Sequence, residues 1–194
     1  MCTSLRRRRA VADFNAASAL VEGLAVLAAT NPPRVWAALP SRPDRIPAAG
    51  VGAAVVVGAS FALAAVASGL LDLLNVSAST FRIGAGLVVA VVGAHDLAAG
   101  APKQEPALAG WRAGFVPIGF PLLVNPALGA AALMASADHG IATAVGAAAI
   151  GGAILIALAT LAGSARVLRA SGRWVGAAMI VLGLALAVDG VFSL

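Results

Sequence analysis

The residues of this chain best suited to bind a ligand are two asparagines, each followed directly by proline. Asn31-Pro32 and Asn125-Pro126 both lie inside stretches apolar enough to cross a bilayer. Proline inside a helix removes a backbone hydrogen bond and clashes with the preceding turn, at a cost of about 3 kcal/mol. Asparagine accepts a hydrogen bond at a helix N-cap and proline fits the first helical position, so each pair predicts a broken helix whose second half begins there. The free N–H groups and positive dipole end of such a start favour an anionic group, for example a carboxylate.

Glu22 is the only acidic residue near the middle of a predicted membrane span. A carboxylate at that depth is costly and indicates a function by default, here that of a protonatable group. The alternative is a neutral, hydrogen-bonded glutamic acid with no role. Asp72, Asp96 and Asp189 lie at span ends, where charge is tolerated, and we expect them to be interfacial anchors. For Arg34, three residues after the first asparagine, the alternatives are contact with a carboxylate and extension to the membrane interface, and we favour the latter.

No arrangement for catalysis or for metal binding accompanies these residues. His95 and His139 have no partner at metal-ligand spacing, and Cys2 is the only cysteine. We therefore expect no enzyme, no metal site and no cofactor. Several glycines lack the strand and the Lys-Ser/Thr of a nucleotide-binding loop, and they predict close helix packing instead. These glycines are Gly84, Gly86, Gly93, Gly146, Gly151 and Gly152.

The composition predicts an all-α membrane protein, whose helices position these residues. Hydrophobic residues make up 61% of the chain and charged residues 11%, with a mean hydropathy of +0.97. The net charge of +5 arises from basic residues in loops that flank the apolar stretches, which favours a membrane over nucleic acid as partner. We assign residues 1–12 to a basic N-terminal segment and residues 13–194 to a single transmembrane domain. Its six spans, each long enough to cross a bilayer, are predicted at 13–40, 50–73, 78–99, 114–138, 140–165 and 172–193.

The two asparagine–proline pairs occupy matching places in the two halves of the chain. They lie 94 residues apart (from 31 to 125) in a chain of 194 residues. Three spans per half is an odd number, so the second half enters the membrane with the opposite topology. The sequence thus predicts two inverted three-helix repeats, at about 13–99 and 114–194, with broken first and fourth helices. A break at matching positions of inverted repeats indicates the binding site of a secondary transporter.

Four segments carry a resemblance to a known family. They are Ala29-Thr30-Asn31-Pro32, Phe81-Arg82-Ile83-Gly84-Ala85-Gly86-Leu87, Phe115-Val116-Pro117-Ile118-Gly119-Phe120-Pro121 with Asn125-Pro126, and Arg173-Trp174-Val175-Gly176 with Asp189-Gly190. In these the chain resembles the MarC family, six-span bacterial inner-membrane proteins of the LysE-like superfamily. The family usually has Gly-Pro-Gly where this chain has Asn125-Pro126-Ala127. The resemblance implies transport of small neutral amino acids such as glycine or alanine, coupled to protons, across a bacterial cell membrane.

We expect one substrate site, where the broken first and fourth helices meet, and alternating access to it. Small apolar walls and two positive dipole ends suit a small zwitterion, and Glu22 is the candidate for coupling to a proton or another ion. Pro121 restricts Phe120 to extended backbone and keeps that stretch non-helical. Two alternatives stay open: an exporter of another small or lipid-linked metabolite, and a structural subunit of a membrane complex. The predicted substrate-binding residues are Ala29, Thr30, Asn31, Pro32, Pro121, Val124, Asn125 and Pro126.

Overall fold

A computed structural model describes residues 17–40, 43–99, 108, 110–161 and 165–194, with the backbone alone for residues 165–169. Within these ranges the protein is helical and contains no strand. The predicted basic segment 1–12 and the first residues of the first predicted span lie outside them.

The first half of the chain begins with a helix that is interrupted after a few turns. Residues 17–30 form α1, and Asn31 separates it from a short helix α2, Pro32–Trp36. The indole Nε1 of Trp36 donates a hydrogen bond to the carbonyl of Leu158 (2.9 Å) and so fastens α2 to the second half of the chain. Two long helices follow, α3 (Arg45–Leu74) and α4 (Ala78–Ala99). The chain reverses between them at Asn75, whose left-handed backbone (φ 52°) ends α3.

The second half begins with irregular helical segments instead of a regular helix. A tight helical turn, Gly110–Gly114, leads into a wide segment, Phe115–Leu123. Phe120 in this segment is extended (φ −129°, ψ 129°), which confirms the predicted effect of Pro121 on the residue before it. Regular helices follow: α5 (Pro126–His139), α6 (Ile141–Thr160) and α7 (Ala165–Phe192).

The lengths and compositions of these helices are those of a multi-pass membrane protein. Among the described residues, four helices are long and apolar enough to cross a bilayer, namely α3, α4, α6 and residues Ala170–Phe192 of α7. The segment Gly110–Leu123 and α5 meet at a bend of 71°, and together they would form a fifth, broken span. The helices α3, α4, α6 and α7 overlap the predicted second, third, fifth and sixth spans.

The closest helix contact joins α4 to α7, which run antiparallel along most of their lengths. Gly86 lies against the backbone of Gly183, and a Cβ atom at Gly86 would come within 2.7 Å of the backbone nitrogen of Ala187. A Cβ atom at Gly93 would come within 2.7 Å of the carbonyl oxygen of Gly176. Glycine has no side chain, so it lets two helix backbones approach this closely. Such contacts are typical of membrane helices, which associate through packing and not through a hydrophobic driving force.

The prediction that glycines support close packing is confirmed for four of the six positions. Gly151 lies against the side chain of Thr30, and Gly152 lies against Ala53. By contrast, no atom lies within 4 Å of a Cβ atom built at Gly84 or at Gly146. The remaining two, Gly86 and Gly93, form the α4–α7 contact. Close packing also explains why alanine dominates the buried core, for example at Ala29, Ala48, Ala127, Ala131, Ala135 and Ala148.

Candidate functional site

The first helix break differs from its prediction in the role of its asparagine. Asn31 adopts a left-handed backbone (φ 36°, ψ 60°), and its side chain forms no capping hydrogen bond. The amide Nδ2 instead donates to Oδ2 of Asp96 (2.9 Å) and to the carbonyl of Gly172 (3.4 Å). The capping prediction is therefore wrong for Asn31. The reason lies in the backbone, because a capping residue is typically extended whereas Asn31 is left-handed.

The second helix break has the predicted geometry. Asn125 is extended (φ −112°, ψ 168°), and its Oδ1 accepts a hydrogen bond from the backbone nitrogen of Leu128 (2.9 Å). The prediction that Asn125 caps α5 is confirmed. Its Nδ2 donates to the carbonyl of Ala29 (2.9 Å), two residues before Asn31. One side chain thus joins the two breaks, which are in direct contact.

In this conformation the contact between the breaks is densely packed. Ala29 and Thr30 are fully buried, and Asn31 is 3% exposed. The Thr30 hydroxyl donates to the carbonyl of Leu27 (2.7 Å), four residues before the break. The other predicted substrate-binding residues surround this contact at different depths: Pro32 is buried, Val124 is half-buried, and Pro121 and Pro126 are exposed. A ligand between the breaks requires that the packed residues move apart.

A first polar cluster, here called the Asp96 cluster, consists of Asn31, Arg34 and Asp96. The side chain of Asp96 is only 4% exposed, and Arg34 forms an ion pair with its Oδ1 through Nη1. Arg34 and Asp96 therefore bind each other and do not act as separate anchors, so that the two charges neutralise each other inside the protein. Their position at the membrane interface stays a prediction. Asp72, by contrast, is exposed at the end of α3.

A second polar cluster, here called the Glu22 cluster, joins four helices around one arginine. The Nε and Nη2 atoms of Arg82 bind Oδ2 of Asp138 (3.1 and 2.7 Å), and Nη1 binds Asp189. Oε1 of Glu22 lies 3.8 Å from Nε of Arg82 and 3.5 Å from Nε2 of His139. The cluster is thus Glu22 on α1, Arg82 on α4, Asp138 and His139 on α5, and Asp189 on α7.

Only part of this cluster is predictable from the sequence. Glu22 is predicted as a functional group, Asp189 as an interfacial anchor, and His139 has no partner at metal-ligand spacing. No sequence pattern points to Asp138. The His139 side chain is only 17% exposed and contacts Ser18, at 3.0 Å from Nε2 to Oγ. The order of the predicted spans could have indicated that Glu22 and His139 lie close together. Consecutive spans alternate in direction, so the start of α1 and the end of α5 reach the same side of the bundle.

The two clusters lie near opposite ends of the helix bundle. Arg82 and Asp96 are 14 residues apart on α4, a separation of about 21 Å along the helix. Along α1, the Ala29 carbonyl that forms the contact between the breaks lies after Glu22 and before Asn31 of the Asp96 cluster. Glu22 is nine residues, or about 13 Å, before Asn31. The Glu22 cluster contains helices from both halves of the chain, and Asn31 of the Asp96 cluster also binds the carbonyl of Gly172 in the second half.

Two cavities lie beside these features. The first, about 230 Å³, lies next to the Glu22 cluster between α1 and α7 and is lined by Ala17, Ser18, Val21, Glu22, Ala185, Leu186 and Asp189. The second is an apolar groove of about 660 Å³ beside the first helix break, between α1, α2, α6 and α7. Its lining residues are Leu24, Leu27, Ala28, Pro32, Pro33, Ile154, Val175, Ala178, Val181 and Leu182.

No protein-family model, curated protein sequence or solved structure matches this chain. The resemblance to the MarC family therefore stays a prediction that rests on the four quoted segments.

Proposed function

We propose that this protein is a secondary transporter of small neutral amino acids, with glycine and alanine as the expected substrates. The observation that carries the proposal is the contact between two interrupted apolar helices, in which the Asn125 side chain binds the Ala29 carbonyl. Interrupted helices expose backbone N–H and C=O groups, so inside a bilayer they persist only where protein buries them or where they line a cavity. In secondary transporters such breaks form the binding site. The α5 start would receive the carboxylate of the substrate, and carbonyls near Ala29 and Thr30 its ammonium group.

The proposed architecture is six spans in two inverted repeats, at about 13–99 and 114–194. Two observations support it. Each half has the same order of elements, an interrupted helix followed by two long ones. The long helices pair across the halves in that order, α3 with α6 and α4 with α7. Alternating access would follow from the movement of one repeat against the other.

The two polar clusters fit the roles of closures on the two sides of the proposed substrate site. Each cluster joins the first half of the chain to the second, through Arg82 at one end and Asn31 at the other. Opening one side would separate the helices that the local cluster holds together. The packed contact between the breaks then corresponds to a state that is closed on both sides.

The first test measures binding and uptake with the purified protein. We expect millimolar glycine or alanine to raise the melting temperature by about 5–10 °C at a concentration near 100 Kd, because a ligand of the native state stabilises it by mass action. Liposomes that contain the protein should accumulate radiolabelled glycine. Propionate, which lacks the ammonium group, serves as the control and should do neither. A folded sample with no thermal shift and no uptake would contradict the proposal.

A second test concerns the proposed coupling group. Glu22→Gln should abolish the stimulation of glycine uptake by an imposed pH gradient, because an amide cannot exchange a proton. Glycine binding should persist, since Glu22 lies about 13 Å along α1 from the break. Asp72→Asn removes an exposed carboxylate and is the matched control. Uptake that stays pH-dependent in Glu22→Gln would remove Glu22 from the coupling mechanism.

The apolar groove favours a second candidate function, export of a lipid-linked metabolite. All ten of its lining residues are apolar, and the groove lies beside the first break. A long acyl or prenyl chain fits such a surface better than a free amino acid does. A thermal shift with a single-chain amphiphile, together with none by glycine or alanine, would favour the exporter over the amino acid transporter.

A further inference from the structure

We propose that the 230 Å³ cavity between α1 and α7 binds a monovalent cation, either the ammonium group of a small amine or an alkali-metal ion, with the Glu22 carboxylate as its main ligand. The site is distinct from the contact between the helix breaks. The inference goes beyond amino acid transport, and it holds for any cargo that the protein carries.

The first argument is the charge of the Glu22 cluster. Three carboxylates, those of Glu22, Asp138 and Asp189, surround the single guanidinium of Arg82. The hydrogen bonds of that guanidinium go to Asp138 and Asp189. Clustered carboxylates inside a helix bundle repel each other and lose their hydration, so an additional positive charge stabilises the arrangement.

The second argument is the condition of Glu22 itself. Its side chain is 1% exposed, and neither carboxylate oxygen accepts a hydrogen bond from any part of the chain that the structure describes. Nε2 of His139 and Nε of Arg82 lie 3.5 and 3.8 Å from Oε1, which is too far for hydrogen bonds. A buried carboxylate without hydrogen bonds is costly. Glu22 also lines the cavity, so a cation within it would contact this group.

The third argument is the shape and lining of the cavity. Asp189, whose side chain is 37% exposed, lies at its outer end, while Glu22 lies deep in it. The Ser18 hydroxyl adds a polar group, and the remaining walls are Ala17, Val21, Ala185 and Leu186. Since a water molecule occupies about 30 Å³, the space admits a partly hydrated ion or a short alkylammonium. The apolar walls suit the alkyl part of an amine.

Protons would compete with the cation for the Glu22 carboxylate. The titratable and charged groups that face Glu22 are Arg82 from α4, Asp138 and His139 from α5, and Asp189 from α7. Binding should therefore weaken as the pH falls and Glu22 takes up a proton. A Glu22 that stays protonated would bind no cation at any pH.

The test is isothermal titration calorimetry and thermal unfolding of the full chain at constant ionic strength. Methylammonium chloride and sodium chloride are the two probes. N-methylglucamine chloride, whose five hydroxyl groups find no partners on the apolar walls, is the control. We expect saturable binding of at least one probe and none of the control. Saturation by methylammonium alone identifies an ammonium site, and saturation by sodium alone identifies an ion site. Glu22→Gln should weaken binding about tenfold or more, whereas Asp72→Asn should leave it unchanged.

A second measurement on the unaltered protein covers the case in which Glu22→Gln does not fold. Dicyclohexylcarbodiimide adds to protonated carboxyl groups in apolar surroundings, and mass spectrometry locates the adduct. The bound probe should slow labelling of Glu22, whereas N-methylglucamine should not, and the exposed Asp72 should not react. The proposal is overturned if no probe binds with saturation, if Glu22→Gln binds as well as the unaltered chain, or if neither probe slows labelling. If the protein binds a cation but takes up no glycine, the proposed transport function is contradicted and the cation site is not.

Discussion

Replacing Arg82 with glutamine should destabilise the protein by about 3–5 kcal/mol, because removal of one partner leaves buried charges uncompensated. Arg82 supplies hydrogen bonds to two carboxylates, Asp138 and Asp189, and its Nε lies 3.8 Å from Oε1 of Glu22. Its side chain is 14% exposed, so water screens these charges weakly. Without the guanidinium, the carboxylates of α1, α5 and α7 repel one another where those helices must meet. Thermal unfolding in detergent measures the effect.

Two further variants separate charge from geometry at this position. Arg82→Lys keeps the positive charge but cannot form the planar fork that reaches two carboxylates, so we expect an intermediate loss. Arg112→Gln removes an exposed arginine beside Trp111 and should change stability by less than about 0.5 kcal/mol. Equal effects of Arg82→Gln and Arg112→Gln would show that the Glu22 cluster does not hold the helices together.

Two neighbouring glycines on α4 should respond in opposite directions to the same substitution. Gly86→Ala places a methyl group against the backbone of Gly183 and Ala187, which cannot rotate away as a side chain can. The two helices must then separate, at a cost of about 3 kcal/mol or more. Gly84→Ala meets no atom within 4 Å and replaces a poor helix former, so it should stabilise the protein by up to about 1 kcal/mol.

The pair is informative because both glycines lie in one motif and in one helix. Folded yield and melting temperature of the two variants, measured side by side, test whether α4 and α7 pack through their backbones. A mild effect of Gly86→Ala, similar to that of Gly84→Ala, would contradict the close antiparallel contact. Gly183→Ala probes the same contact from α7 and should behave like Gly86→Ala.

Features that depend on a few neighbouring residues were predictable from the sequence. The positions of both breaks follow from proline chemistry, and the extended backbone of Phe120 follows from Pro121. The cap formed by Asn125 likewise involves a nitrogen only three residues away. The long apolar helices follow from the hydropathy of continuous stretches. Each of these effects acts within one or two helical turns, so a single segment contains the information.

Partners that are distant in the sequence were decided by the tertiary structure alone. Arg82 and Asp138 are 56 residues apart, and Asn31 and Asp96 are 65 residues apart. Their pairing depends on which helices adjoin, on their relative depth and on the face that each one turns inward. Two residues with the same local signal therefore differ, since Asn125 caps a helix and Asn31 binds a buried carboxylate. The sequence by itself determined where the helices break and which stretches can cross a membrane. Only packing decided which charges meet, because the energy of an ion pair depends on a distance that no local pattern encodes.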